Sequence, residues 1–273
     1  YAGDAQSPDA QALVDQIAKD ARNGALPAVS WIVPPEKFCE HPAVNPPGYG
    51  ESLVARILDA LTANPDVWAK TAFIICYDEE GGFFDHMPPP VPPAARSDGY
   101  SGVSTVGEVS GGEPVGLGAR VPLLVLSPWT RGGWVCSEVF DHTSIIRFLE
   151  RRFGVAEPNI SPWRRTVCGD LTSMFDFARP DAQRPAGLFA TSHRVSLDRA
   201  DAICRDLKPT PLPLTQNLPS QERAANGDST RPARALPYRL AADGARAGDA
   251  FTITFANSGK AGAAFTVYSL RHN

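Results

Sequence analysis

No stretch of the 273-residue chain approaches the roughly 20 consecutive apolar residues that cross a bilayer as a helix. Positive charge is not in excess. The 26 Lys and Arg residues stand against 30 Asp and Glu, for a net charge of −4. Neither a basic nucleic-acid face nor a polybasic membrane anchor is therefore expected. The five cysteines, Cys39, Cys76, Cys136, Cys168 and Cys204, lie far apart and form no CxxC pair, which argues against a zinc ribbon. One or two disulfides are compatible with an exported protein, and the odd count leaves one thiol over. Cys76, inside FIICY, reads as a small buried hydrophobe. The sequence has no internal repeats. It opens on Tyr1 with neither Met nor a signal peptide, so the expectation is that its original start has been removed by processing or truncation.

What is present describes an ordinary soluble globular protein, with 43% hydrophobic and 21% charged residues. The length suits one sizeable core with a small appendage. The 26 prolines exceed the usual share of roughly 5%, and long ordered loops are expected. Apolar residues at Ala10, Leu13, Val14, Ile17 and Ala18 predict a helix over 8–22, closed by Asn23-Gly24. AVSWIVPP (28–35) reads as a strand stopped by proline, and 36–51 as a loop. From Glu51, the positions of Leu53, Val54, Ile57, Leu58 and Leu61 predict a second helix. TAFIICY (71–77) is a continuous apolar run of strand length, as in a parallel sheet buried on both faces. A long loop from Gly81 to about Arg120 follows, then a strand in VPLLVLSP (121–128). A helix over 140–154 carries Ile145, Ile146, Phe148 and Leu149, with Asp141 or Thr143 as its cap and Gly154 at its end. This alternation predicts an α/β protein with a layered, mostly parallel sheet flanked by helices. Residues 205–234 are proline-rich, polar and aperiodic, and read as a linker or surface wrap. LPYRLAAD, DAFTITFANS and AAFTVYSL read as three strands, with turns around Asp243-Gly244 and Asn257-Ser258-Gly259.

The chemistry concentrates in 71-TAFIICYDEEGGFFDHMPPP-90. In parallel α/β sheets, ligands bind beyond the carboxyl ends of the strands, and Asp78 and Glu79 follow a predicted strand at that end. Adjacent carboxylates disfavour each other's ionisation, and a hard divalent cation relieves the repulsion. Gly81 and Gly82 allow a sharp turn and a close approach to a ligand. Taken alone, the acids are equally compatible with a solvated turn; the residues around them favour a site.

Those residues resemble the signature of bacterial phosphocholine-preferring phospholipases C, a phosphoesterase family shared with the acid phosphatase A group and related to alkaline phosphatases. The resemblance continues in order through VSWIVPPEKFCEHPAVNPPGYGE, GLGARVPLLVLSPWTRGGWVCSEVFDHTSIIRFLERRFG and SPWRRTVCGDLTSMFDF. The tail from LPYRLAADG onward is similar to the start of the small β-domain of these phospholipases, a partial β-sandwich. The resemblance implies a catalytic-domain portion at 1–204, a Pro-rich linker at 205–234 and the start of the β-domain at 235–273. It implies hydrolysis of the phosphodiester of phosphatidylcholine or sphingomyelin, releasing phosphocholine, at a membrane surface. It also implies a divalent metal held by Asp78 and Glu79, and contact between His41, in CEHP, and the phosphoryl oxygens. Glu80, Asp85 and His86 are candidates to support the metal ligands, and His142 to cap or buttress its helix. Tyr77, Phe83, Phe84, Trp129 and Trp134 are candidates for an aromatic choline cage, although each aromatic suits core packing as well. A Glu-Asn ligand pair and a Ser or Thr nucleophile of the family pattern are not found in the chain, and are expected from a missing upstream segment. A secreted or periplasmic location is implied. The alternatives are an acid phosphomonoesterase of the same family and a non-catalytic fragment or binding domain.

Overall fold

The computed structural model describes residues 1–42, 44–82, 87–183, 197–208 and 231–268. Its helices and strands follow in the order α1 (Gln11–Arg22), α2 (Pro47–Thr62), α3 (Pro65–Trp68), β1 (Phe73–Cys76), β2 (Val109–Ser110), β3 (Glu113–Pro114), β4 (Leu123–Leu126), α4 (His142–Phe153), α5 (Pro162–Val167), α6 (Leu197–Asp206), β5 (Leu240–Ala247) and β6 (Ala250–Asn257). The mixture of helix and strand expected from the sequence is present. The described strands form three two-stranded pairs, β1 with β4, β2 with β3 and β5 with β6. The chain divides into two compact units: residues 1–73, 126–131 and 178–230, and residues 74–125, 132–177 and 231–273. No described helix is long and apolar enough to cross a membrane.

The first unit is built on α1 and α2. Leu13, Val14 and Ile17 of α1 and Leu53, Ile57, Leu58 and Leu61 of α2 form one buried cluster with Phe38, Tyr49 and Trp68. Each set repeats at three- and four-residue intervals, so each helix turns a single stripe inward. Helix α1 begins later than predicted because Ala10 adopts a left-handed backbone, φ 54°. Its first amides are served from outside the helix, the Ala10 amide donating to Ser7 Oγ and the Gln11 amide to Asp9 Oδ1. Helix α2 begins earlier than predicted, at Pro47, whose fixed φ and missing N–H suit a first helical position. The strand expected in AVSWIVPP does not form. Val33 makes a single bridge to Ala2, and Trp31 is 63% exposed. Among the described residues the apolar run has no partner strand to complete a ladder.

The second unit takes up the chain at Ile74, inside β1; this strand is half-buried along its length, and Leu124 of β4 is 49% exposed. The burial on both faces predicted for TAFIICY is therefore not seen, and Cys76 is half-buried rather than a core residue. The long loop from Gly81 contains the short β2–β3 hairpin. Helix α4 starts as predicted at Asp141. The Asp141 Oδ1 accepts from the Ser144 amide while Ser144 Oγ accepts from the Asp141 amide, a reciprocal cap. The helix ends at Gly154, φ 71°.

The chain returns to this unit at residue 231. The Val135 amide donates to the Pro232 carbonyl, the Arg234 amide to the Val135 carbonyl, and the Val139 amide to the Tyr238 hydroxyl. The end of the proline-rich segment is thus a wrap, and its start, up to Asp206, is helical in α6; residues 209–230 lie outside the described ones. Strands β5 and β6 pair antiparallel from Leu240↔Asn257 to Ala247↔Ala250. The turn falls at Gly248-Asp249, with Gly248 at φ 61°, not at Asp243-Gly244. Gly244 is a strand residue opposite Ile253. A Cβ there would lie 2.6 Å from the Phe251 ring, so the glycine makes room for an aromatic cover. The third predicted strand is absent over its described residues, 263–268, although Phe265 stacks on Phe255 at 4.7 Å.

All five cysteines are free thiols. Burial pushes the Cys168 thiol up to about 12, whereas Cys39 and Cys204 are exposed. Because the thiolate is the reactive form, Ellman's reagent at pH 8 should modify Cys39 and Cys204 quickly and leave Cys168 unmodified until the protein is denatured. Mass mapping of the labelled peptides checks this.

Candidate active site

The two acids singled out in the sequence sit where β1 gives way to a turn. Asp78 and Glu79 are exposed and Glu80 is half-buried. Gly81 and Gly82 follow at φ 69° and 74°. Both angles lie in the left-handed region that only glycine enters without strain. Nothing lies within 4 Å of a Cβ built on Gly82, so the backbone angle, not crowding, demands glycine there. The chain therefore enters a turn soon after presenting two neighbouring carboxylates to solvent. Asp85 and His86, with Phe83 and Phe84, lie outside the described residues.

The peptide that leads into the acids is held on both sides. The Tyr77 amide donates to the Pro122 carbonyl at 3.3 Å. The Tyr77 carbonyl lies 2.9 Å from His142 Nε2, and a carbonyl only accepts, so that nitrogen carries the hydrogen. His142 is the first residue of α4, and the start of α4 is itself anchored. Arg164 donates from Nε to Glu108 Oε1 at 2.8 Å, from Nη1 to Asp141 Oδ2 at 2.7 Å and from Nη2 to the Gly116 carbonyl at 2.9 Å. Glu108 also accepts from Ser161 Oγ at 2.6 Å. The side chains of Glu108 and Asp141 are only 3% and 6% exposed. Burial works against the Arg164 charge, but the hydrogen bonds to Asp141 and Glu108 outweigh it and hold its proton more tightly than usual. Sequence reasoning placed His142 at a helix start but did not connect it with Tyr77, 65 residues earlier. No local spacing encodes that contact.

His41 belongs to the other unit. It is exposed, in a turn closed by the Val44 and Asn45 amides donating to its own carbonyl. Its Nδ1 lies 2.8 Å from the Pro42 carbonyl, so Nδ1 carries a hydrogen. In a neutral ring this leaves Nε2 as an acceptor; Nε2 donates only when the ring is protonated. The preceding residue, Glu40, has φ 62°. Its side chain occupies the space beside Gly50, where a Cβ would come within 1.8 Å of the Glu40 carboxylate. Of the proposed cage aromatics, Trp134 already carries the Arg234 guanidinium 4.4 Å from its ring centre. Tyr77 and Trp129 are half-buried.

Asp78 and Glu79 offer two oxygen donors of the kind hard divalent cations take. Among the described residues no group of three or more His, Cys, Asp or Glu side chains is arranged to hold a metal. Asp78 and Glu79 are of the ligand type a divalent cation takes, and among the described residues they do not make up a metal site by themselves.

Comparison with known proteins identifies the class. Residues 3–156 match the model of the phosphoesterase family, and the chain belongs to that family. Residues 232–273 match the C-terminal domain of bacterial phospholipases C. Among individual relatives, a "Non-hemolytic phospholipase C" of Pseudomonas aeruginosa is 46% identical over 97% of this chain and 40% of its own length. A protein of the same name from Burkholderia pseudomallei is 50% identical over 93% of this chain and 37% of its own length. A "Hemolytic phospholipase C" of P. aeruginosa is 51% identical over 83% of this chain and 31% of its own length. The chain thus spans about two-fifths or less of the length of these relatives.

Replacing Arg164 by Met would leave Glu108 and Asp141 buried without their cation. Breaking a buried pair in this way costs about 3–5 kcal/mol. Urea denaturation of R164M should show an unchanged slope and a lower midpoint, equivalent to a loss of about 3–5 kcal/mol in unfolding free energy.

Proposed function

We propose that the protein is a phospholipase C that hydrolyses the phosphodiester of choline phospholipids, releasing phosphocholine. One observation carries the reading: a single chain joins a phosphoesterase-family segment to a phospholipase C C-terminal segment, at 46–51% identity to proteins bearing that name. The domain division follows the same lines, with a catalytic portion over 1–204, a connecting segment over 205–234 and a β-domain from 235. The finer architecture belongs to the proposal too: a layered, mostly parallel sheet in the catalytic domain, in which β1 and β4 are neighbours, and a β-sandwich that begins with β5 and β6. Choline phospholipids are mostly met outside the cell, which supports a secreted or periplasmic bacterial location.

Asp78 and Glu79 are the proposed metal ligands. When bound, a divalent cation supplies charge to offset that of the phosphodiester and lowers the pKa of an attacking hydroxyl. The chain's own part is to present two neighbouring, exposed carboxylates at the strand exit, followed by a turn at Gly81 and Gly82. His41, with its Nδ1–H committed to the Pro42 carbonyl, presents Nε2 outward. In its protonated form Nε2 donates to a nonbridging phosphoryl oxygen as negative charge develops there. Glu80, Asp85 and His86 are proposed to support the two ligands. The nucleophilic hydroxyl and the remaining ligands are proposed to come from a segment outside this chain.

In the native protein, Asp78→Asn should abolish hydrolysis of p-nitrophenyl phosphorylcholine, a loss of at least 100-fold in kcat, and weaken binding of divalent metal. The wild type should prefer that substrate to p-nitrophenyl phosphate. Preference for the monoester would make the protein a phosphomonoesterase of the same family. Full activity of D78N would remove the metal assignment.

A further inference from the structure

We propose that His142 is a positioning residue for the acids of the site, because its Nε2–H holds the Tyr77 carbonyl and so fixes the peptide from which Asp78 leaves β1. The inference rests on the reading that Asp78 and Glu79 bind a divalent cation.

The Tyr77 carbonyl and the Asp78 amide belong to one planar peptide, which also contains the Asp78 Cα. Holding that carbonyl fixes the peptide plane and with it the Asp78 Cα, which narrows the directions in which the Asp78 side chain can depart. The Tyr77 amide is already committed to Pro122, so the residue before the acids is tied at both ends. Beyond them the backbone is governed by Gly81 and Gly82, which restrict φ least of all residues. The His142 contact therefore lies on the side of the acids where orientation can be fixed. Like charges on neighbouring residues repel. A turn free to reorient would let them diverge, and a cation would then have to gather them at an entropic cost.

The imidazole can act as a fixed point because its own base does not move. Asp141 caps α4 through Oδ1, which accepts from the Ser144 amide at 3.2 Å and from Thr143 Oγ1 at 2.6 Å. Its Oδ2 accepts from Arg164 at 2.7 Å, and Arg164 is held in turn by the buried Glu108. The buried ion pair is thus linked to the peptide in front of an exposed acid through hydrogen bonds at Asp141, the covalent step from Asp141 to His142, and the His142–Tyr77 hydrogen bond. His142 is exposed, so water would satisfy its ring nitrogens equally well. Bonding instead to a backbone carbonyl 65 residues away links α4 to the end of β1. Partners that orient metal ligands typically contribute 10- to 100-fold to metal affinity.

The test uses the native protein stripped with EDTA. Mg2+, Ca2+, Mn2+ and Zn2+ are each titrated calorimetrically into the wild type and into H142A, H142F, H142Q and D78N, and the Tm of each metal-free protein is recorded. For the cation that the wild type binds, H142A and H142F should lose 10- to 100-fold in affinity at an unchanged metal-free Tm. H142Q, whose side-chain amide reaches about as far as Nε2, should recover most of the loss. In assays with p-nitrophenyl phosphorylcholine, kcat should fall with KM unchanged. If H142A does not fold, the ring-preserving H142F makes the comparison with H142Q. Wild-type affinity in H142A and H142F, alongside lost binding in D78N, overturns the role of His142 and leaves the metal site standing. A loss matched by a fall in metal-free Tm also overturns it, since His142 would then be structural. Undiminished affinity in D78N removes the metal site itself and this inference with it.

Discussion

A guanidinium held between two buried carboxylates organises the second unit. Arg164 joins Glu108, in the loop before β2, to Asp141, at the head of α4, and reaches the Gly116 carbonyl as well. Taking three charged groups out of water is costly, and the cost is recovered only where each charge finds good geometry. Here the planar fork of arginine provides it, with three donors aimed at three acceptors. The arrangement leaves the start of α4 little freedom, and His142, its first residue, inherits that constraint. Glu108 keeps one buried oxygen without a hydrogen-bond partner, so the cluster is not fully satisfied. Specificity of arrangement is a better reason for it than stability.

Much of the helical structure was legible in the sequence. Leu13, Val14 and Ile17, and Leu53, Ile57, Leu58 and Leu61, repeat with the helical period and are buried where that period puts them. Asp141 and Gly154 were readable as the ends of α4 because capping chemistry is local. The strands were less legible. AVSWIVPP has strand composition, but a strand exists only through its partner, and Val33 finds a single bridge. Asp243-Gly244 carries a strong turn signal, yet cross-strand pairing and the Phe251 ring over Gly244 override it. The actual turn uses the other glycine-aspartate pair, Gly248-Asp249. The exposure of Leu124 and the half-burial of β1 depend on what covers the sheet, which no local pattern encodes.

The site divides along the same line. The placement of Asp78 and Glu79 at a strand exit was legible because acids followed by Gly-Gly form a contiguous pattern, and the positive φ angles at Gly81 and Gly82 show why glycine stands there. The tautomer of His41 and the grip of His142 on Tyr77 were not legible. Both depend on one carbonyl oxygen falling within hydrogen-bond reach, a property of the folded backbone. The family match places this segment among phosphoesterases. The physical contribution of the chain is narrower and concrete: a strand end, two carboxylates, and the hydrogen bonds that hold the peptide in front of them.

The measurement that tests this account most directly is a crystal structure of the native protein loaded with the divalent cation it binds most tightly. The account predicts density for the metal with carboxylate oxygens of Asp78 and Glu79 at about 2.0–2.6 Å. A fully active protein whose metal lies elsewhere, with both side chains turned to solvent, would contradict it.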